Sequence, residues 1–176
     1  MRVISGSARG RKLVAPEGSN TRPPPDRVRE ATFNALGSLG VVEQAAVLDL
    51  FAGSGAMGIE ALSRGAARAT FVDSDIAAQR AVEANLATCG LTDAAEVVAA
   101  PAERFLAGAA QQRRWDLALL DPPYDYDGWP ELLLDLPAHT AVLEGPKAVD
   151  PPFGWEVVRA KRYGRTHVVI AQRITV

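Results

Sequence analysis

Cysteine is nearly absent from this 176-residue chain, in which Cys89 stands alone. That excludes a disulfide framework and a multi-cysteine zinc site, and it fits a reducing compartment. Long hydrophobic runs are missing as well. With no stretch of about 18 apolar residues, nothing is expected to span a membrane. Met1-Arg2-Val3-Ile4-Ser5-Gly6 lacks the apolar core and cleavage site of a signal peptide, which predicts a cytoplasmic protein. Aromatic residues make up only 6%, and Trp115, Trp129 and Trp155 are spaced for packing, with no sign of a base-stacking platform. No metal is expected, and no uncovered apolar stripe demands a dimer, so a monomer is expected. What is present suffices for one domain: 48% hydrophobic residues on a chain long enough to bury a core.

The net charge of -2 hides a partition. Residues 1–30 hold seven basic and three acidic residues, a local charge of +4. Residues 155–176 hold five against one, again +4, while the segment between them carries -10. If both cationic ends lie on one face, that face can hold nucleic acid; otherwise they are solvated segments pointing different ways.

From residue 46 onward, short apolar runs alternate with helix-like segments. The runs are 46–51, 69–73, 95–99, 115–120 and 140–143; helices are expected over 57–64, 75–88, about 102–112 and about 128–136, with Ser74 or Asp75 capping the second. The pattern predicts an α/β fold, a Rossmann-like, mostly parallel sheet covered on both faces. Residues 156–162 and 166–170 flank Tyr163-Gly164-Arg165 and read as an antiparallel hairpin closing one edge. Residues 1–37 read as an appendage: a glycine-punctuated hairpin, the turn Thr21-Arg22-Pro23-Pro24-Pro25, and a helix over about 27–36 capped by Asp26. The main domain then covers 38–176.

Two motifs carry chemistry. Gly53, Gly55 and Gly58 follow the first strand in G-x-G-x-x-G spacing, and Asp73 ends the next strand 20 residues after Gly53. Glycine permits a sharp turn and close approach of a ligand, and a carboxylate at that strand end can accept ribose hydroxyls. A dinucleotide would set its pyrophosphate at the helix N-terminus. Asp49 beside the loop disfavours it and suits the cationic part of S-adenosylmethionine, with NAD as the competing reading. The fourth strand ends in Asp121-Pro122-Pro123-Tyr124. Two prolines stiffen the backbone, so that Asp121 and the Pro122 carbonyl can accept both hydrogens of an exocyclic amine while Tyr124 stacks on its base. Methyl transfer to such a nitrogen needs mainly positioning and electrostatics.

With Arg2-Val3-Ile4-Ser5-Gly6, Arg9-Gly10-Arg11-Lys12-Leu13, Thr21-Arg22-Pro23, Asp26-Arg27-Val28-Arg29-Glu30, Phe33-Asn34, 48–55, 121–124 and Lys161-Arg162-Tyr163-Gly164, the chain resembles the RsmD-like bacterial 16S rRNA (guanine-N2) methyltransferase family along nearly its whole length. The resemblance implies a class I methyltransferase sheet and transfer to one guanine 2-amino group of 16S rRNA, in a partly or fully assembled small subunit. It implies catalysis by Asp121, Pro122, Pro123 and Tyr124. It also implies S-adenosylmethionine held by Asp49, Phe51, Gly53, Ser54, Gly55, Asp73, Ser74, Ala102 and Asp121. Arg9, Arg11, Lys12, Arg22, Arg27, Arg29 and Asn34 would then meet RNA. The glycine loop and Asp-Pro-Pro-Tyr also occur in adenine-N6 enzymes acting on DNA or RNA, which is the alternative within this chemistry; a non-catalytic ribosome-assembly factor is the alternative outside it. One departure stands out. Pro101 occupies a position where family members often carry Asp or Asn toward the adenine amino group, and proline cannot take that hydrogen bond.

Overall fold

The computed structural model describes residues 1–18 and 26–174. Five parallel strands, β1 (Ala46–Leu50), β2 (Arg68–Asp73), β3 (Ala95–Ala99), β4 (Trp115–Leu120) and β5 (Ala138–Gly145), join the antiparallel pair β6 (Trp155–Tyr163) and β7 (Thr166–Arg173). Their order is β3-β2-β1-β4-β5-β7-β6, the mixed Rossmann-like sheet that the alternation predicts. Period-two alternation assigns each strand's side chains to two cores. Val47, Leu117, Leu119 and Val142 enter one, while Leu48, Leu120 and Leu143 enter the other. Both faces of β1 are therefore covered, and all five of its residues are buried.

The first core is roofed by α1 (Asp26–Ser38), α2 (Ala56–Ser63) and α3 (Ile76–Cys89), the second by α4 (Ala102–Ala107) and α5 (Trp129–Asp135). Asp75 caps α3, its Oδ1 accepting the Ala77 N–H at 2.8 Å, and Gly90 at φ 68° ends it. Arg173 of β7 stacks on Trp155 and donates to the Leu133, Leu134 and Leu136 carbonyls, closing the C-terminal end of α5. The 163–165 turn is two residues long, Gly164-Arg165, with Gly164 at φ 61°.

Several elements differ from expectation. α4 stops at Ala107, well before residue 112, and β5 runs on to Gly145. The N-terminal hairpin reduces to a single bridge, Arg2 to Lys12, and it shares the first core through Val3, Ala8 and Leu13. Asp26 is the first helical residue, and its carboxylate holds Arg29 at 2.9 Å. No helix among the described residues is long and apolar enough to cross a membrane.

Candidate active site at the carboxyl edge of the sheet

The connections leaving β1 and β4 diverge, one toward β2 and the other toward β5, and open a crevice beyond the carboxyl ends of these neighbours. The glycine loop, Asp73, the 100–102 segment and the 121–124 turn all follow strands that end at this edge.

Two acids build the loop. Asp73 of β2 accepts the Gly53 N–H through Oδ2 at 2.8 Å and the Asp75 N–H through Oδ1 at 2.9 Å. Asp49 of β1 reaches under the loop and accepts the Gly58 N–H at 2.8 Å. Gly55 precedes α2 and has no side chain to cap it, so Asp49 satisfies one of that helix's orphan donors from the strand. The glycines divide the work. A Cβ on Gly53 would meet nothing within 4 Å, leaving open space for a ligand, whereas one on Gly58 would fall 2.3 Å from the Phe71 ring. Phe51 takes φ 66°, rare for a residue with a Cβ, and its ring packs edge-on to Tyr126 at 5.2 Å.

Across the crevice, Asp121 is half-buried, Pro122 buried, and Pro123 and Tyr124 exposed, Tyr124 by 65%. The Pro123 carbonyl takes the Tyr126 N–H at 2.9 Å, which tightens the turn. Ser74 follows β2 beside Asp73, Ala102 opens α4, and Ser54 donates weakly to Met1 Sδ at 3.8 Å while its carbonyl takes Asn85 Nδ2. Tyr126 escaped sequence reasoning, although it lies two residues beyond the motif's own tyrosine. It packs on Phe51 and Trp129 and donates to Glu103 Oε1 at 3.0 Å.

Burial raises three carboxyls on this edge: Asp49 to about 8, Asp121 to about 6 and Glu144 to about 8. The Gly58 N–H opposes the rise at Asp49, and the charges of Asp121 and Asp73 add to it. In an unfolded chain such groups titrate near about 4, so between there and pH 8 the folded state binds more protons. Its stability should consequently fall as pH rises through that window. Urea unfolding at pH 5, 7 and 8.5 checks this, with Asp49→Asn expected to flatten the slope; stability rising over the same range would contradict it.

The basic candidates scatter. Arg9, Arg11, Lys12 and Arg27 are exposed. Asn34 is exposed but turns to Arg64, beyond the end of α2 farthest from the glycine loop. Arg22 lies outside the described residues. Arg29 is a correction. It is buried and directed inward, donating to the Arg2 carbonyl and Asp26 and lying 3.8 Å from Glu60, so it is not presented to a polyanion. Its place follows from helical spacing, since Arg29, Phe33 and Leu36 share the face that packs on the core. At the other end of the chain, His167 pairs with Gly145, so the β6–β7 turn bearing Arg165, with Arg162 just before it on β6, reaches the crevice edge.

The glycine loop, Asp73 and Ala102 suit an adenosine ligand bearing a cation, S-adenosylmethionine. The open space at Gly53 could admit it, and a positive charge nearby would favour the ionised form of the buried Asp49. Pro101 before α4 offers no side-chain acceptor, so adenine would rest on the backbone there.

Comparison with known proteins agrees with this geometry. Residues 1–172 match the family model described as Conserved hypothetical protein 95. YlbH of Bacillus subtilis is 49% identical over 125 residues, covering 70% of this chain and 67% of that protein. Ribosomal RNA small subunit methyltransferase D of Escherichia coli is 44% identical over 124 residues, or 70% of this chain and 60% of its own length. The chain thus spans less than two thirds of that relative. The solved structure of yhhF from Escherichia coli superposes with a TM-score of 0.84 at 38% identity, covering 98% of this chain and 97% of that one. A model matched over residues 1–172, which take in this sheet and this crevice, means that the chain belongs to the Conserved hypothetical protein 95 family, the RsmD-like methyltransferases.

Proposed function

We propose that this chain is an S-adenosylmethionine-dependent rRNA methyltransferase that places one methyl group on the 2-amino nitrogen of a guanine in small-subunit (16S) RNA. The observation that carries the reading is the Asp121-Pro122-Pro123-Tyr124 turn standing across the crevice from the glycine loop. The name of the Escherichia coli relative supports an rRNA substrate.

The cofactor supplies an electrophilic methyl group on a sulfonium. The chain's own residues prepare the nucleophile. A guanine amine is weakly nucleophilic because its lone pair is delocalised into the ring. The Asp121 carboxylate and the Pro122 carbonyl accept its two hydrogens, which turns the lone pair toward the donor and stabilises the positive charge growing on nitrogen. Asp121, raised only to about 6, is mostly ionised at neutral pH and suits that task. The base has to leave its stack to reach the turn, and exposed Tyr124 offers it a new stacking face. Arg9, Arg11, Lys12 and Arg27, together with Arg162 and Arg165 of the hairpin, would hold the RNA backbone. Residues 1–37 would act as the RNA-binding extension of the catalytic domain at 38–176, on a small subunit partly or fully assembled.

Incubation with small-subunit RNA and labelled methyl donor, followed by nucleoside mass spectrometry, should yield N2-methylguanosine. N6-methyladenosine, or no product on either RNA or subunits, would overturn the reading. Asp73→Ala should weaken S-adenosylhomocysteine binding by about 1–3 kcal/mol, the worth of a charged hydrogen bond. Equal affinities by calorimetry would remove Asp73 from the cofactor site.

A further inference from the structure

The mechanism leaves Glu144 unused. It sits near the end of β5 on the face that carries Val142, and since Val142 pairs with Leu119 and Leu143 with Leu120, the next position in register beside it is Asp121. Its side chain is 4% exposed, and its Oε2 finds no hydrogen-bond partner among the described residues. A buried, unpartnered carboxyl oxygen is costly and calls for an explanation. Among the described residues, the charged groups that bear on it are Asp121, which raises its proton affinity, and Arg29 of α1, which lowers it. Toward β7 its partner is the apolar Val168. Arg29 also has two nitrogens without a hydrogen bond among the described residues, one terminal nitrogen and Nε, which lies 3.8 Å from Glu60. A buried carboxyl with an unpartnered oxygen therefore stands next to the group that holds the amine, its charge opposed by burial and Asp121 and favoured by Arg29.

Resting on the guanine-N2 reading, we infer that Glu144 identifies the base: its carboxylate accepts the N1–H of the same guanine whose 2-amino group is held by Asp121 and the Pro122 carbonyl. On guanine the N1–H and the amine are adjacent donors on one edge, matching two adjacent acceptors. On adenine the atom beside the amine is N1, an acceptor, which an ionised carboxylate repels. The Asp-Pro-Pro-Tyr turn grips any exocyclic amine and does not separate the two bases. Glu144 supplies the separation.

The test compares small-subunit RNA ligated with guanine or with 2,6-diaminopurine at the methylated position. Diaminopurine keeps the 2-amino group but turns N1 into an acceptor. At pH 8 and above, where Glu144 is ionised, wild-type protein should prefer guanine by on the order of 10- to 100-fold in kcat/KM, the range of one well-placed base contact. That ratio should climb as pH rises toward 8, where Glu144 ionises, because guanine needs the carboxylate and diaminopurine the protonated acid. Glu144→Gln, whose amide can donate as well as accept, should lose most of the preference and all of its pH dependence. A ratio independent of pH in wild type, or unchanged in Glu144→Gln, overturns the inference; if the variant does not fold, the wild-type pH dependence decides alone. Failure of the underlying reading shows separately, because unmodified RNA would then give a product other than N2-methylguanosine.

Discussion

Asp121→Ala should lower methyl transfer by about 10²- to 10³-fold, the usual loss when one preorganised group facing developing charge is removed, while S-adenosylhomocysteine affinity stays within a few-fold. The split follows from placement. Asp121 stands at the end of β4 across the crevice from the loop, whereas the loop is held by Asp49 and Asp73 from β1 and β2. Removing the Asp121 carboxylate leaves that scaffold intact and deprives the amine of its charged acceptor, so the lone pair is no longer directed or enriched. Asp121→Asn, which keeps one neutral acceptor, should fall between wild type and alanine. Single-turnover rates with labelled cofactor measure the effect, and calorimetry controls for binding. Turnover unchanged in the alanine variant would sink the mechanism.

The second large effect concerns stability. Glu60→Ala should destabilise the fold by about 3–5 kcal/mol, the cost of breaking a buried charge network on one side. Glu60 is fully buried in α2, and its carboxylate accepts the Ile4 N–H at 2.8 Å, the Ser5 N–H at 3.1 Å and Arg64 Nε at 2.7 Å. Without it, two backbone donors of the N-terminal segment lose their acceptor. Buried Arg29 keeps Asp26, itself 55% exposed, as its remaining salt-bridge partner among the described residues. Glu60→Gln, which retains an acceptor for one of the amides, should cost less. Urea unfolding gives the number, and limited proteolysis should show residues 1–14 released first. A loss below about 1 kcal/mol would mean that the apolar contacts of Val3, Ala8 and Leu13 and the hydrogen bonds to Ser63 and Asn85 anchor the segment without Glu60.

Much of the candidate site was legible because its residues are tied to strand ends. The glycine spacing, the acid 20 residues on and the diproline turn each follow an apolar run, and a parallel sheet brings such ends to one edge whatever else the chain does. Charge was a poorer guide. Arg29 read as an RNA contact on sign alone, although its spacing from Phe33 and Leu36 already placed it on a buried face. Glu144 stayed hidden because the strand seemed to end at Leu143, and a glutamate past an apolar run ordinarily marks the start of a loop.

Local pattern therefore determined the order of strands and helices, the two cores of the sheet and the segments that meet at the crevice, since periodicity and turn chemistry act over a few residues. Only tertiary packing decided which charges are surface and which are interior. Glu60, Arg29 and Glu144 are buried because α1 and α2 pack on the face of the sheet where β5 carries Val142 and Glu144, and desolvation depends on what lies opposite a side chain, a relation that neighbours along the chain do not encode.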